Sequence, residues 1–291
     1  MSAEERVAPA ARERAVALEE LLAARRYAYA LFHKLLGAAP DAGVLDALLG
    51  EAAASAVAAY AEDDETMRGF GRFLGELASR KDRAALLEAA RDEYTRLFVG
   101  PGAVPAPACK SPYLAKDPAL FQEGTLEVRA AYRARGLEPK RLQRVPDDHV
   151  ALLCAFMALR AKAALSDLRG GYAAALAAEL RDELTFLRAH LAGWVGEFAR
   201  ALRASKKAVL YPQLVEAFAA FVSIDAVFLT EAAYWAEGAD ALAALAAHEG
   251  ERVAFAARIE DALAELEAVR PFGIEDYELA LRGKDAPQDL K

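Results

Sequence analysis

The sequence has few of the residues on which several common protein classes depend. Among its 291 residues are two cysteines and four histidines, and Cys109 and Cys154 form no Cys-x-x-Cys pair. This scarcity argues against a disulfide framework and against a zinc knuckle. Basic residues are also outnumbered, because 36 Lys and Arg face 44 Asp and Glu for a net charge of -8. Nonspecific binding of nucleic acid or anionic lipid needs the opposite excess, whereas a cationic partner suits this chain.

The sequence also lacks a long uninterrupted apolar run. Its most apolar stretch, residues 208–229, is interrupted by Glu216 and Asp225, whereas a membrane span needs about 20 mostly apolar residues. We expect this stretch to form a buried helix. Residues 1–14 are polar and charged, not a basic stretch followed by an apolar core, so they predict no secretory signal. With so little cysteine, the expected location is the reducing cytoplasm.

β-Branched residues are sparse, while alanine and leucine dominate the apolar residues. Unbranched side chains lose little rotamer freedom in a helix, and apolar residues recur at helical spacing along most of the chain. We therefore predict an all-α protein, an irregular bundle of about ten helices, with helices throughout. Asp41, Asp82 and Asp147 are expected to cap helix starts. The later helices are expected over residues 147–168, 172–190, 191–204, 208–236 and 238–268.

Two segments interrupt the helical pattern. Residues 99–118 form a Pro/Gly-rich loop, because proline lacks a backbone donor and glycine is conformationally free. The second interruption, residues 137–146, is predicted to be a hinge. It separates an N-terminal helical half, residues 1–136, from a C-terminal helical half, residues 147–235. Residues 236–291 are expected to add an extra helix and a polar tail.

Short motifs lie at these two interruptions. The first comprises Glu93-Tyr94-Thr95-Arg96-Leu97-Phe98-Val99-Gly100-Pro101-Gly102, then Pro105-Ala106-Pro107, then Ser111-Pro112-Tyr113-Leu114. The second reads Val145-Pro146-Asp147-Asp148-His149-Val150, followed by Phe156-Met157-Ala158-Leu159. A weaker third comprises Phe186-Leu187-Arg188-Ala189-His190-Leu191 with Trp194, Phe198 and Tyr211-Pro212. In order and spacing these motifs resemble the TorD family of cytoplasmic chaperones, also called the TorD/DmsD/NarJ group, over roughly residues 20–235.

The resemblance implies an all-helical TorD-like fold of two halves joined by a hinge loop. It also implies a redox-enzyme maturation chaperone that binds the twin-arginine signal peptide of a molybdenum-containing oxidoreductase and delays export until the cofactor is inserted. Some relatives exchange halves, so a monomer or a domain-swapped homodimer is expected. A chaperone of this kind is expected to have no enzymatic activity, no cofactor and no metal of its own.

A twin-arginine peptide carries two guanidinium groups ahead of an apolar stretch. Its receptor therefore needs carboxylates beside an apolar groove, and aromatic rings that can face a guanidinium add roughly 0.5–2 kcal/mol. Asp147 and Asp148 are candidates for the carboxylates, and Tyr94, Phe98 and Tyr113 for the aromatic surface. The full set of expected peptide-binding residues is Asp147, Asp148, His149, Tyr94, Phe98, Pro105, Pro107, Ser111 and Tyr113.

One part of the first motif departs from the family pattern. Members usually carry a second proline, an aromatic residue and an acidic residue before Ser-x-Tyr, where this chain has Ala108, Cys109 and Lys110. An aromatic wall is lost and an acid is replaced by a base. We therefore expect a client peptide that differs from those of typical relatives.

Structural roles compete with binding roles at several of these positions. Asp147 suits a helix cap, and His149 suits a hydrogen-bonded histidine in the core. Aromatic residues at helical spacing in the later helices are expected to pack inside the protein. These are Trp194, Phe198, Phe218 and Phe221.

Two other functions stay open from the sequence. An assembly factor would bind the body of the client's catalytic subunit and not its leader. A nucleotide- or metal-dependent helical enzyme would need a nucleophile with its base, a phosphate loop or a ligand pair. Ser111 lies in no Gly-x-Ser-x-Gly elbow, Cys109 has no adjacent histidine, and neither a Gly-x-x-x-x-Gly-Lys-Ser/Thr loop nor a Glu-x-x-His pair is present.

Overall fold

The chain folds into helices joined by short connections, as seen in a computed structural model that describes residues 3–62, 64–100, 104–114, 118–203, 208–248 and 253–282. The predicted all-α fold is confirmed. The helices are α1 (Ala3–Gly37), α2 (Ala42–Leu48), α3 (Glu51–Ala59), α4 (Glu65–Ala78), α5 (Arg83–Tyr94), α6 (Ser111–Leu114), α7 (Pro118–Ala134), α8 (Val150–Arg169), α9 (Ala173–Leu187), α10 (Val195–Arg203), α11 (Tyr211–Ala236), α12 (Ala239–His248) and α13 (Ala254–Ala268). Wider π-helical turns follow α5 and α9, at Thr95–Val99 and Arg188–Ala192.

Two short strands depart from the expectation of helices throughout. Strand β1 (Leu137–Pro139) pairs antiparallel with β2 (Leu279–Leu281). The predicted hinge thus contains a strand, and part of the expected polar tail supplies its partner. The extra helix expected over residues 238–268 is also two helices, α12 and α13. Residues 283–291 of the expected tail lie outside the described residues.

Side-chain caps set several helix starts. Asp41 and Asp82 each accept a hydrogen bond at 2.9 Å from the amide three residues further on, which satisfies a free donor of the first turn. Both predicted caps are confirmed. The cap predicted for Asp147 is wrong, because α8 begins at Val150. The ring of His149 takes the capping position and accepts the Ala151 N–H at 3.2 Å.

Helix α1 is central to the packing. It lies along α8 and also contacts α12 and α13. On its inner side, the ring of Phe32 meets Phe218 at 4.8 Å and Phe221 at 5.6 Å between centroids. The four aromatic residues expected in the core are each 1% exposed or less, which confirms that expectation. Because α1 and α8 belong to different predicted halves, the halves share this helix pair, and the domain boundary itself stays a prediction.

Helix α11 has the length and apolar composition of a membrane span, a property that core helices of globular proteins share. Here it packs against α9 and α10. It also carries Asp225, whose side chain is fully buried within the protein. These contacts agree with the expected buried helix.

A buried ion network ties α1 to α9 and α11. Arg25 donates hydrogen bonds to Asp225 Oδ1 at 2.6 Å and to Glu183, and the Tyr29 hydroxyl donates to Asp225 Oδ2 at 2.7 Å. Burial raises the pKa of Glu183 to about 7, against the lowering effect of Arg25. A buried charge that loses its partner is strongly destabilising, so this network holds the three helices in one arrangement.

Replacing Asp225 with alanine tests that role. Asp225→Ala leaves the Arg25 guanidinium buried with part of its compensation gone, so we expect the free energy of unfolding to fall by about 3–5 kcal/mol. The control on the same helix is Glu216→Ala, which breaks a solvent-exposed pair with Arg203 and should cost less than about 1 kcal/mol. Urea unfolding followed by circular dichroism measures both. Equal losses for the two variants would contradict the assignment.

Candidate functional site

A clip joins the Pro/Gly-rich loop to the residues that precede α8. The Lys110 N–H donates to the Asp148 carbonyl at 3.2 Å, and the Val150 N–H donates to the Ala108 carbonyl at 2.8 Å. Between these bonds, the Asp148 carboxylate accepts the Ser111 N–H at 2.8 Å and the Ser111 hydroxyl at 2.5 Å. The two sequence motifs, 37 residues apart at this pair, therefore meet in one place.

Asp147 is held from the opposite side by α7. Its Oδ2 accepts the Arg129 Nε–H at 2.6 Å, and its carbonyl accepts the Tyr132 hydroxyl at 2.9 Å. Burial raises the pKa of Asp147, and the Arg129 guanidinium opposes this effect. Asp147 and Asp148 are each 1% exposed. Their carboxylates thus serve to position the loop in this conformation, and direct contact with a peptide stays a prediction for both.

A groove of about 490 Å³ lies beside the clip. Leu126, on α7, is 56% exposed at this groove. Ser111 and Asp148 are the sequence-predicted site residues that the structure places in its wall. The complete lining is Cys109, Ser111, Pro112, Thr125, Leu126, Arg129, Pro146 and Asp148.

The contribution of α7 was missed by sequence reasoning. Thr125, Leu126 and Arg129 lie on one helix and line the groove opposite the loop. The available signal was a leucine between polar residues on a helix that directly follows the loop motif. That signal is weak, because single exposed leucines are ordinary on protein surfaces.

The three predicted aromatic residues belong to a neighbouring cluster. Tyr94 lies 5.2 Å from Phe98 between ring centroids, and Tyr113 stacks on Trp194 at 5.4 Å. Phe98 also meets Tyr211 at 5.3 Å. Tyr94 is buried, and Phe98 and Tyr113 are half-buried. The described groove lining does not include them, so the structure gives them a packing role and their contact with a peptide stays a prediction.

The remaining loop residues have mixed surroundings. Pro105 is exposed and Pro107 is half-buried, ahead of the clip; their binding role stays a prediction. Pro101 and Gly102 of the same motif lie outside the described residues.

Glu93, the first residue of the motif, has a structural role, because its carboxylate accepts the N–H groups at the start of α11 at 2.9, 2.6 and 3.1 Å. A carboxylate at a helix N-terminus satisfies free amides and favours the dipole.

Lys110 is one of the residues that depart from the family pattern. It is buried, and its ammonium donates to His190 Nδ1 at 3.0 Å. The Glu127 carboxylate on α7 lies further away, at 3.8 Å. Burial lowers the pKa of His190 to about 4, and the charge of Lys110 adds to this effect. His190 is therefore neutral at neutral pH, and its Nδ1 accepts a hydrogen bond from the Lys110 ammonium.

His149 and His33 lie where α1 meets the start of α8. The His33 Nδ1–H donates to the Ala151 carbonyl at 3.1 Å. Burial lowers the pKa of His33 to about 4 and that of His149 to about 3. The His149 ring also contacts Tyr277 of the C-terminal segment, at 4.6 Å between centroids. Both histidines are thus neutral near pH 7.

The chemistry of the groove suits noncovalent binding. Burial raises the pKa of the Cys109 thiol, so Cys109 is not a ready thiolate nucleophile. Within the part of the chain that the structure describes, no group of three or more His, Cys, Asp or Glu side chains could hold a metal ion. The groove instead combines apolar surface with the Arg129 guanidinium and two hydroxyls.

A family model matches the part of the chain that forms this site. The family model of the nitrate reductase delta subunit matches residues 58–200, which include both motifs and the groove. The Tat proofreading chaperones DmsD of Salmonella typhi and of Salmonella typhimurium are each 35% identical over 74 residues, or 24% of this chain. Over these residues the chain is similar to the TorD/NarJ/DmsD family. The matched stretch spans 36% of the length of these curated relatives.

The relatives that match are named as chaperones and not as enzymes, which agrees with the prediction that the chain has no enzymatic activity. Helix α1 and everything from α11 onward lie outside the matched residues. The contact of Tyr277 with His149 is therefore made by a segment that the family model does not cover.

Replacing Asp148 with alanine tests the clip. Asp148→Ala leaves the buried Ser111 N–H without its acceptor, at a cost of about 1–3 kcal/mol. We expect hydrogen exchange to become faster across residues 104–114. Glu88→Ala is the control, because it removes an exposed carboxylate that pairs with Arg91 and with no residue of the clip. Unchanged exchange in Asp148→Ala would show that other contacts hold the loop.

His33 gives a prediction for pH. The pKa of His33 is lowered from 6.5 in the unfolded chain to about 4 in the folded chain. Below about pH 6.5 the unfolded chain therefore binds a proton at His33, whereas the folded chain does so only near pH 4. The stabilisation is present above that pH and is lost as pH falls toward about 4. We expect about 2 kcal/mol of loss from this residue between about pH 7.5 and 5. Urea unfolding across this range should show a shallower pH dependence for His33→Gln; parallel curves would contradict the assignment.

Proposed function

We propose that the chain is a cytoplasmic redox-enzyme maturation chaperone that binds the twin-arginine signal peptide of a molybdenum-containing oxidoreductase before cofactor insertion and export. The curated relatives named as Tat proofreading chaperones support this proposal. The observation that carries it is the largely apolar groove between α7 and the clipped loop. A signal peptide has an apolar core of about 7–15 residues, and such a segment binds a groove of this character.

The arginine pair needs a carboxylate that is free to exchange partners. We place this role on Glu127, whose side chain is 61% exposed on the same helix as the groove residues. Its pair with Lys110 is long, at 3.8 Å, and Lys110 keeps His190 as a partner if Glu127 turns away. A guanidinium forms two parallel bonds with a carboxylate, which an ammonium cannot do. Asp147 and Asp148 then act by holding the groove in shape.

A second candidate function is binding to the body of the client's catalytic subunit. The match to the nitrate reductase delta subunit family favours it, because that description names a subunit of an enzyme assembly and no leader. Under this function the groove takes an apolar segment of the client that carries no arginine pair. Capture of a leaderless client as efficiently as of the full precursor would favour the second function.

Calorimetry with a synthetic twin-arginine leader and its Lys-Lys variant tests the leading proposal. We expect the Lys-Lys peptide to bind more weakly, because it loses the two-bond geometry. Leu126→Gln should weaken binding about tenfold, since burying a leucine contributes about 1.5–3 kcal/mol and 1.4 kcal/mol is tenfold. Leu242→Gln is the matched control, a leucine 63% exposed on α12.

Two results would contradict the proposal separately. Equal heats for the two peptides would remove arginine recognition. Equal affinities of Leu126→Gln and Leu242→Gln for the leader would show that the groove is not the place of binding. Signal-peptide binding itself would not be contradicted by that result.

A further inference from the structure

A second cavity, of about 420 Å³, lies along one edge of the α1–α8 pair. Each helix lines it with side chains three or four positions apart, which share one helix face. These include Arg26, Ala30 and Lys34 of α1 and Ala155, Leu159 and Lys162 of α8. The cavity has no lining residue in common with the groove beside the clip. Its volume lies in the range of about 300–1,000 Å³ that small organic ligands occupy.

The cavity is cationic, although the chain as a whole has a net charge of -8. Five cationic side chains and two carboxylates line it, an excess of three positive charges at pH 7, where His33 is neutral. The cations are Arg26, Lys34, Lys140, Lys162 and Arg270, and the carboxylates are those of Glu267 and Glu278. The cations belong to four separate segments of the chain. An anion in the cavity is therefore met by positive charge from several sides.

Both carboxylates are already used in ion pairs. Glu278 accepts hydrogen bonds from Lys140 at 3.0 Å and from Arg270 at 2.8 Å. Glu267 accepts one from Arg26 at 3.0 Å. These pairs account for three of the five cations, and the two lysines on the helix faces are left over.

Lys34 is a buried cation whose donors are only partly used. The residue is 4% exposed, and its ammonium donates to the Val269 carbonyl at 2.7 Å. An ammonium carries three N–H donors, and within the described residues the other two have no acceptor. Burial lowers the pKa of Lys34, and the charge of Arg270 adds to this effect. A buried charge that is incompletely compensated costs free energy, and an anion in the cavity would remove that cost.

Lys162 and Leue159 lie on the facing wall.

Discussion

The buried hydrogen bonds between Asp148 and Ser111 are the interaction on which the candidate site depends. A carboxylate that is 1% exposed cannot exchange its partners for water, so the loop stays attached to the start of α8. The Arg129–Asp147 pair then brings α7 against the opposite side. The groove is the space that these two attachments leave between the loop and α7.

This use of carboxylates changes how the acidic character of the chain relates to binding. The two aspartates of the Pro-Asp-Asp-His motif stabilise the site from inside, and the exposed carboxylate nearest the loop is Glu127. The net charge of -8 still attracts a cationic leader at long range. Short-range recognition and long-range attraction are thus divided between different residues. The strap adds a third use, since its carboxylates neutralise the cations of the hinge.

Local signals in the sequence predicted much of the fold. Asp41 and Asp82 cap helices as expected, and Trp194 and Phe198 are buried as their spacing indicated. Asp147 failed as a cap because its carboxylate is engaged by Arg129 and the helix starts three residues later. The β1–β2 pair was missed because each strand has three residues, too few to show an alternating pattern. At the candidate site, the loop and the Pro-Asp-Asp-His motif were predicted, whereas the α7 wall and the strap were not.

The sequence by itself determined the helical class, most helix starts, the two interruptions and the family, because propensity, capping and short motifs act over a few residues. Only the tertiary structure decided which groups face each other: Asp148 with Ser111, Asp147 with Arg129, and His149 with Tyr277. The physical reason is that a buried polar group or ring takes whatever partner the packing brings to it. Such partners lie 37 positions away for Asp148 and in the C-terminal segment for His149, beyond the reach of any local pattern.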